Sequence, residues 1–287
     1  MGKHAIVVVG PAGSGKSTFC KTLYEHYGVK RRSTHICNLD PAAEELLYEP
    51  SIDVRQLISL EDAVSSKGLG PNGGLVFCME YLMANMHWLH DELQDYSDDF
   101  LIIDMPGQVE LLSHIPVVPA FVQALRQEGY FVAATFLFDA VTATSDGGKF
   151  VSGCVLALTT MMSLDCPMLN LLSKCDLLPA EVKAEGGSLD HFAACDFEFI
   201  DCSMLPPRWK ALTRQLCTIV DDFSMVRFVP YDMSNEDVVN GICTLLDDLL
   251  QVADDADVHD VDVDTDEVHT EHDATDEGAG DARADQS

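Results

Sequence analysis

The chain has 287 residues, 47% of them hydrophobic, and a formal net charge of −31. That length suits one large α/β domain or two small ones, and the acidity argues against a nucleic-acid duplex as the main partner. No unbroken apolar run reaches the roughly 18 residues of a membrane span, and Met1-Gly2-Lys3-His4 leads straight into an apolar run, which leaves no expected room for a signal peptide.

The first run, 4–9, reads as a buried strand. Directly after it comes Gly10-Pro11-Ala12-Gly13-Ser14-Gly15-Lys16-Ser17-Thr18, a G-x-x-x-x-G-K-S phosphate loop with a strand before it and a helical pattern, 15–27, after it. Each residue type has a reason. Glycines let backbone N–H groups curl round phosphate oxygens. The helix aims its positive end at the same oxygens. Lys16 supplies a cation between the β- and γ-phosphates, and the Ser17 hydroxyl is a ligand for Mg²⁺. Gly13 to Thr18 are therefore the expected phosphate-binding residues.

The next strand, 34–38, runs into Asn38-Leu39-Asp40-Pro41. Asp40 is placed to polarise water or reach the magnesium shell, and also to cap a helix begun at Pro41. Gly70-Pro71-Asn72-Gly73-Gly74 then reads as a turn before a helix over 73–95, which carries Leu75, Met79, Leu82, Met86, Leu89 and Leu93 at helical spacing. Phe77, Tyr81 and Trp88 make that helix apolar on more than one face, which permits a subunit interface.

Strand 100–104 ends in Asp104-Met105-Pro106-Gly107-Gln108, with Glu110 following. An Asp at a strand end opposite Ser17 can hold the metal, and Gln108 and Glu110 are candidates to orient an attacking water. A helix is expected over 109–128, a strand over 131–138 and a helix over 148–164. Strand 168–173 leads to Ser173-Lys174-Cys175-Asp176, similar to the N-K-x-D reader of guanine, with Ser173 in place of Asn. Asp176 would accept from the two donors on the guanine edge, which adenine lacks. The segment 179–206 reads as an irregular insertion, followed by a helix over 207–223, a strand over 226–229 and a helix over 234–252. Strands alternating with helices predict a doubly wound, mostly parallel α/β sheet.

From Gln251 onward there are 14 acids and one base, Arg283, which leaves the first 250 residues a net of −18. The 251–287 tail is expected to be disordered, having too little apolar surface to offset chain entropy. The ten cysteines, without a C-x-x-C, point to free thiols in a reducing compartment.

These motifs together resemble the GPN-loop GTPase family, most closely its third eukaryotic paralogue, with the second also similar. The resemblance covers about residues 1–250 and rests on Gly10 to Thr18, Leu39 to Glu44, Gly70 to Gly74, Cys78 to Tyr81, Pro106 to Glu110 and Lys149-Phe150. It implies a P-loop fold with a GPN-loop insertion and hydrolysis of GTP with Mg²⁺. It implies a homodimer, or a heterodimer with a paralogue, in which Asn72 reaches the partner's site. Asp40, Asp104, Gln108 and Glu110 match the family's metal- and water-positioning residues. It further implies RNA polymerase II subunits as partners, with a role in that enzyme's assembly and nuclear import, from a cytoplasmic location with shuttling to the nucleus. No membrane and no direct nucleic acid are expected.

Two other readings compete. A P-loop kinase or phosphotransferase usually carries an arginine-rich lid; 179–206 contains no Arg and one Lys, Lys183. A nucleotide-binding scaffold with little turnover differs from a hydrolase only in water placement, which residue types alone do not set.

Overall fold

The computed structural model describes residues 2–96, 100–113, 115–184, 187–200, 207–223 and 225–252. The expected tail lies outside the described residues from 253 onward, as do parts of the 179–206 insertion. In chain order the elements are β1 (His4–Val9), α1 (Lys16–Val29), β2 (Thr34–Asn38), β3 (Ile52–Asp53), α2 (Leu60–Lys67), α3 (Pro71–Ala84), α4 (Met86–Leu93), β4 (Phe100–Asp104), α5 (Val109–Ser113) and α6 (Val117–Gln127). They continue as β5 (Phe131–Asp139), α7 (Ala140–Ser145), α8 (Gly147–Leu164), β6 (Met168–Ser173), α9 (Ala180–Lys183), α10 (Ser188–Ala194), α11 (Pro207–Phe223), β7 (Val229–Pro230) and α12 (Glu236–Leu249).

The seven strands form one sheet in the order β3-β2-β4-β1-β5-β6-β7, and every pairing is parallel. Alternation along β1 explains the layers. Ile6 and Val8 face one side, packed with Phe19 and Leu23 of α1 and Ile242 and Leu246 of α12. Ala5, Val7 and Val9 face the other, within the core to which α3, α6 and α8 contribute. Both faces are covered, which is why the strands read as unbroken apolar runs. α8 has the 18 residues and hydropathy of a membrane span. Half of that window is buried, and Phe150, Cys154 and Ala157 belong to the core.

Several expected boundaries move. The helix expected over 73–95 is two helices. Asn85 breaks it at φ −120°, its side-chain amide donating to the Tyr81 carbonyl at 2.8 Å in competition with the helical ladder. The first piece begins two residues early, because Pro71 suits a helix's first position and Gly70 its cap. The helix expected over 109–128 divides into α5 and α6, with Pro116 as the N-cap of α6. The last strand is Val229–Pro230, not 226–229, and the insertion holds α9 and α10. α2 was not expected, yet its signals were there: Ser59 accepts from the Asp62 N–H at its start, and Gly68 closes it at φ 65°. The nine described cysteines are free thiols.

Candidate functional site

Parallel pairing brings the carboxyl ends of β2, β4, β1, β5 and β6 to one edge, where the motif residues gather. β1 delivers the phosphate loop. At Gly10, φ is 149° and a Cβ would strike the Leu137 carbonyl of β5, so only glycine fits. Gly13 and Gly15 adopt φ 74° and 90°, and a Cβ on either would meet nothing within 4 Å, which leaves the loop an open cradle. α1 begins at Lys16, so Ser17 and Thr18 lie in its first turn. Lys16 is 8% exposed, and its ammonium donates to the Pro11 carbonyl at 3.2 Å. Burial lowers its pKa, and the nearby carboxylates of Asp104 and Asp40 oppose that shift.

Asp104 ends β4 and pairs in register with Val8 on one side and Asn38 on the other. Burial raises its pKa, while hydrogen bonds from the Ser17 and Tyr48 hydroxyls pull it back. The Ser17–Asp104 pair suits a divalent cation, since Mg²⁺ takes hard oxygens from one or two side chains and fills its remaining positions with water and phosphate. Gly107 lies against the phosphate loop, and a Cβ there would meet Ala12 Cα and Lys16 Nζ, both at 2.7 Å. Gln108 is half-buried, and Glu110 is exposed in the first turn of α5.

Asp40 lies two strands from β1 and still bears on Lys16 electrostatically. Its pKa is raised by burial, although its Oδ1 accepts from the Ala42 N–H at 2.9 Å. Behind it stands a group that motif reading missed. Asn38, wholly buried, donates to Asp53 at 3.0 Å and to the Asp40 carbonyl at 3.3 Å. Arg55 grips Asp53 through Nε and Nη2 and donates to the Ala43 carbonyl at 2.9 Å. Burial pushes Asp53 up, but these donors outweigh it and hold the carboxyl below its ordinary value.

The base-side loop is tied to the phosphate loop. Ser173 Oγ donates to the Ser14 carbonyl at 2.7 Å, with the Phe138 carbonyl at 3.2 Å. Ser173 therefore fastens the two loops together, a role that explains a short hydroxyl side chain at this position. Lys174, at φ 59°, donates to Asp139 at 3.0 Å. Asp139 at the end of β5 also caps α7 and was not singled out from sequence. Asp176 is half-buried, and its carboxylate has no hydrogen-bond partner among the described residues. Tyr231, just after β7, steadies this loop, its carbonyl accepting from the Cys175 N–H at 3.2 Å.

Gly70 caps α3, and Pro71 and Asn72 occupy its first turn, all three exposed. Within the same chain Gln108 Nε2 donates to Asn72 Oδ1 at 3.3 Å. The GPN loop thus stands at the rim of its own chain's site. The expected reach to a partner's site concerns a second chain.

A family model described as "Conserved hypothetical ATP binding protein" matches residues 8–252. GPN-loop GTPase 3 of Mycosarcoma maydis is 42% identical over 269 residues, covering 89% of this chain and 94% of that protein. The protein of the same name from Dictyostelium discoideum is 40% identical (89% and 90% covered), and that from Saccharomyces cerevisiae is 40% identical (88% and 94% covered). A crystal structure of a GTPase in apo form from Pyrococcus abyssi superposes with a TM-score of 0.67 at 24% identity, over 85% of this chain and 96% of that one, and so shows the shared fold. With that degree of identity sustained along almost the whole described body, the chain belongs to the GPN-loop GTPase family and is a GTP-hydrolysing enzyme.

Proposed function

We propose that this GTPase acts as a dimer with composite sites. Within one chain, Gly13 to Thr18 hold the phosphates, Ser17 and Asp104 hold Mg²⁺, and Asp40, Gln108 and Glu110 place the attacking water. Bound there, Mg²⁺ would supply positive charge to offset the negative charge that develops during transfer of the γ-phosphoryl group. Asn72 of one chain completes the partner's site.

The observation that carries the guanine assignment is the bond from Ser173 to the Ser14 carbonyl. It ties the phosphate loop to the loop that bears Asp176. A guanine base whose phosphates lie in the cradle would then offer its two donors to the Asp176 carboxylate, which has no hydrogen-bond partner among the described residues. GTP should bind with Mg²⁺ far more tightly than ATP, and Asp176→Ala should erase most of that preference. Equal affinity of the wild type for both nucleotides would sink the guanine assignment.

The dimer reading is supported by the exposure of Asn72 in the first turn of α3 and of Leu69 just before that helix. A complementation assay tests it. Asn72→Ala chains keep their own phosphate loop; Lys16→Ala chains keep Asn72. If Asn72 acts across the interface, mixing the two should raise turnover above that of either variant alone. No such rise in a mixed dimer would defeat the composite site.

The family resemblance extends the proposal to RNA polymerase II subunits as partners, during assembly and nuclear import, with the chain paired to itself or to a paralogue. Capture of those subunits by the tagged chain, compared between GTP and GDP, tests that role.

A further inference from the structure

Tyr48 belongs to none of the motifs above, yet it makes one of the closest side-chain contacts at the site. Its hydroxyl donates to Asp104 Oδ2 at 2.7 Å, across 56 positions of sequence. It lies in the stretch 39–51 that links β2 to β3. That stretch is pinned at the start by Asp40 and by the Arg55 bond to the Ala43 carbonyl, and at the end by the Ser51 N–H donating to the Ile36 carbonyl at 2.8 Å. The Tyr48 ring packs against the cluster that includes Phe19, Cys20 and Ile36, so the phenol approaches Asp104 from the α1 side. Ser17 approaches the same carboxylate from the first turn of α1.

Asp104 is 2% exposed, so water does little to fix its orientation. Two hydroxyls do so instead. Chemistry favours a phenol here. A lysine or arginine in its place would neutralise Asp104 and repel a cation, whereas a phenol donates one hydrogen bond and carries no charge at neutral pH. Groups that hold a metal-binding carboxylate from behind set its direction, and so the affinity of the site.

We propose that Tyr48 is a positioning residue for the divalent cation: it holds the Asp104 carboxylate so that its charge faces the metal beside Ser17, and so couples the 39–51 stretch to metal occupancy. This rests on the assignment of Ser17 and Asp104 as the residues that hold Mg²⁺.

The test measures metal binding directly. Mn²⁺ binding to the GDP-loaded full chain is followed by the paramagnetic resonance of free Mn²⁺, with Mg²⁺ as competitor, for the wild type, Tyr48→Phe, Asp104→Asn and the double variant. Tyr48→Phe keeps the ring and its packing, so the thermal transition should change little. Metal affinity should fall by about tenfold or more, and adding Tyr48→Phe to Asp104→Asn should cost nothing further. Unchanged or tighter binding in Tyr48→Phe, with binding lost in Asp104→Asn, would overturn the role of Tyr48 and leave the magnesium assignment standing. Binding intact in Asp104→Asn would bring down both.

Discussion

The phosphate side of the site and its GPN side are built differently. On the phosphate side Lys16, Ser14 and Asp104 are buried, and bonds from Ser173 and Tyr48 fasten neighbouring loops to them. On the GPN side Gly70, Pro71 and Asn72 are exposed, and the Asn72 side chain accepts a hydrogen bond from Gln108 at 3.3 Å. A buried charge must be fixed by its own chain, because an unpaired one is costly in the interior. An exposed amide in the first turn of a helix meets no such demand and stays available to a second molecule. The contrast separates what one chain finishes from what a partner would supply.

The sharpest way to break that contrast is on the buried side. Lys16→Ala should weaken GTP binding on the order of 100-fold, since truncating a buried charged partner costs several kcal/mol. A nucleotide titration giving wild-type affinity would show that the buried side is not where binding resides. Gln108→Ala comes next. It should slow single-turnover hydrolysis by about 100-fold with affinity nearly kept, the scale expected when a reacting group loses its positioning; an unchanged rate would remove Gln108 from the mechanism.

Asn72→Ala should have a smaller effect, about tenfold on the same rate, within the range of coupled neighbours. A double-mutant cycle in single-turnover hydrolysis sharpens the comparison. If Asn72 works by holding Gln108, the two substitutions should not add; full additivity would mean that Asn72 acts elsewhere.

The smallest effect is on stability against pH. Burial raises the pKa of both Asp40 and Asp104, so the folded chain holds protons more tightly there than the unfolded one. Their contribution should therefore grow as pH falls through the raised values and be complete below the ordinary Asp value of about 3.9. It should disappear as pH rises through them. Asp104→Asn should flatten the dependence in denaturant titrations of the nucleotide-free protein. Equal slopes for wild type and variant would count against a raised pKa at Asp104.

Much of the fold was legible because its signals are local. Apolar runs, glycines and the lysine of residues 4–18 agree at every level, and the strands at 4–9, 34–38, 100–104 and 168–173 lie where periodicity put them. Where reading slipped, a local competitor had won. Asn85 took a carbonyl from its own helix, and Pro116 started a new one. The capping signals of α2 were present but lay outside any apolar periodicity.

Sequence alone thus determined the phosphate loop, the alternation of strand and helix, and the family. Tertiary structure alone decided which distant residues meet. Tyr48 reaches Asp104 across 56 positions, Asn72 reaches Gln108 across 36, and Ser173 reaches Ser14 across 159. Those separations carry no periodic signal. They are fixed by the strand order β2-β4-β1-β5-β6, which packing selects and residue spacing does not encode.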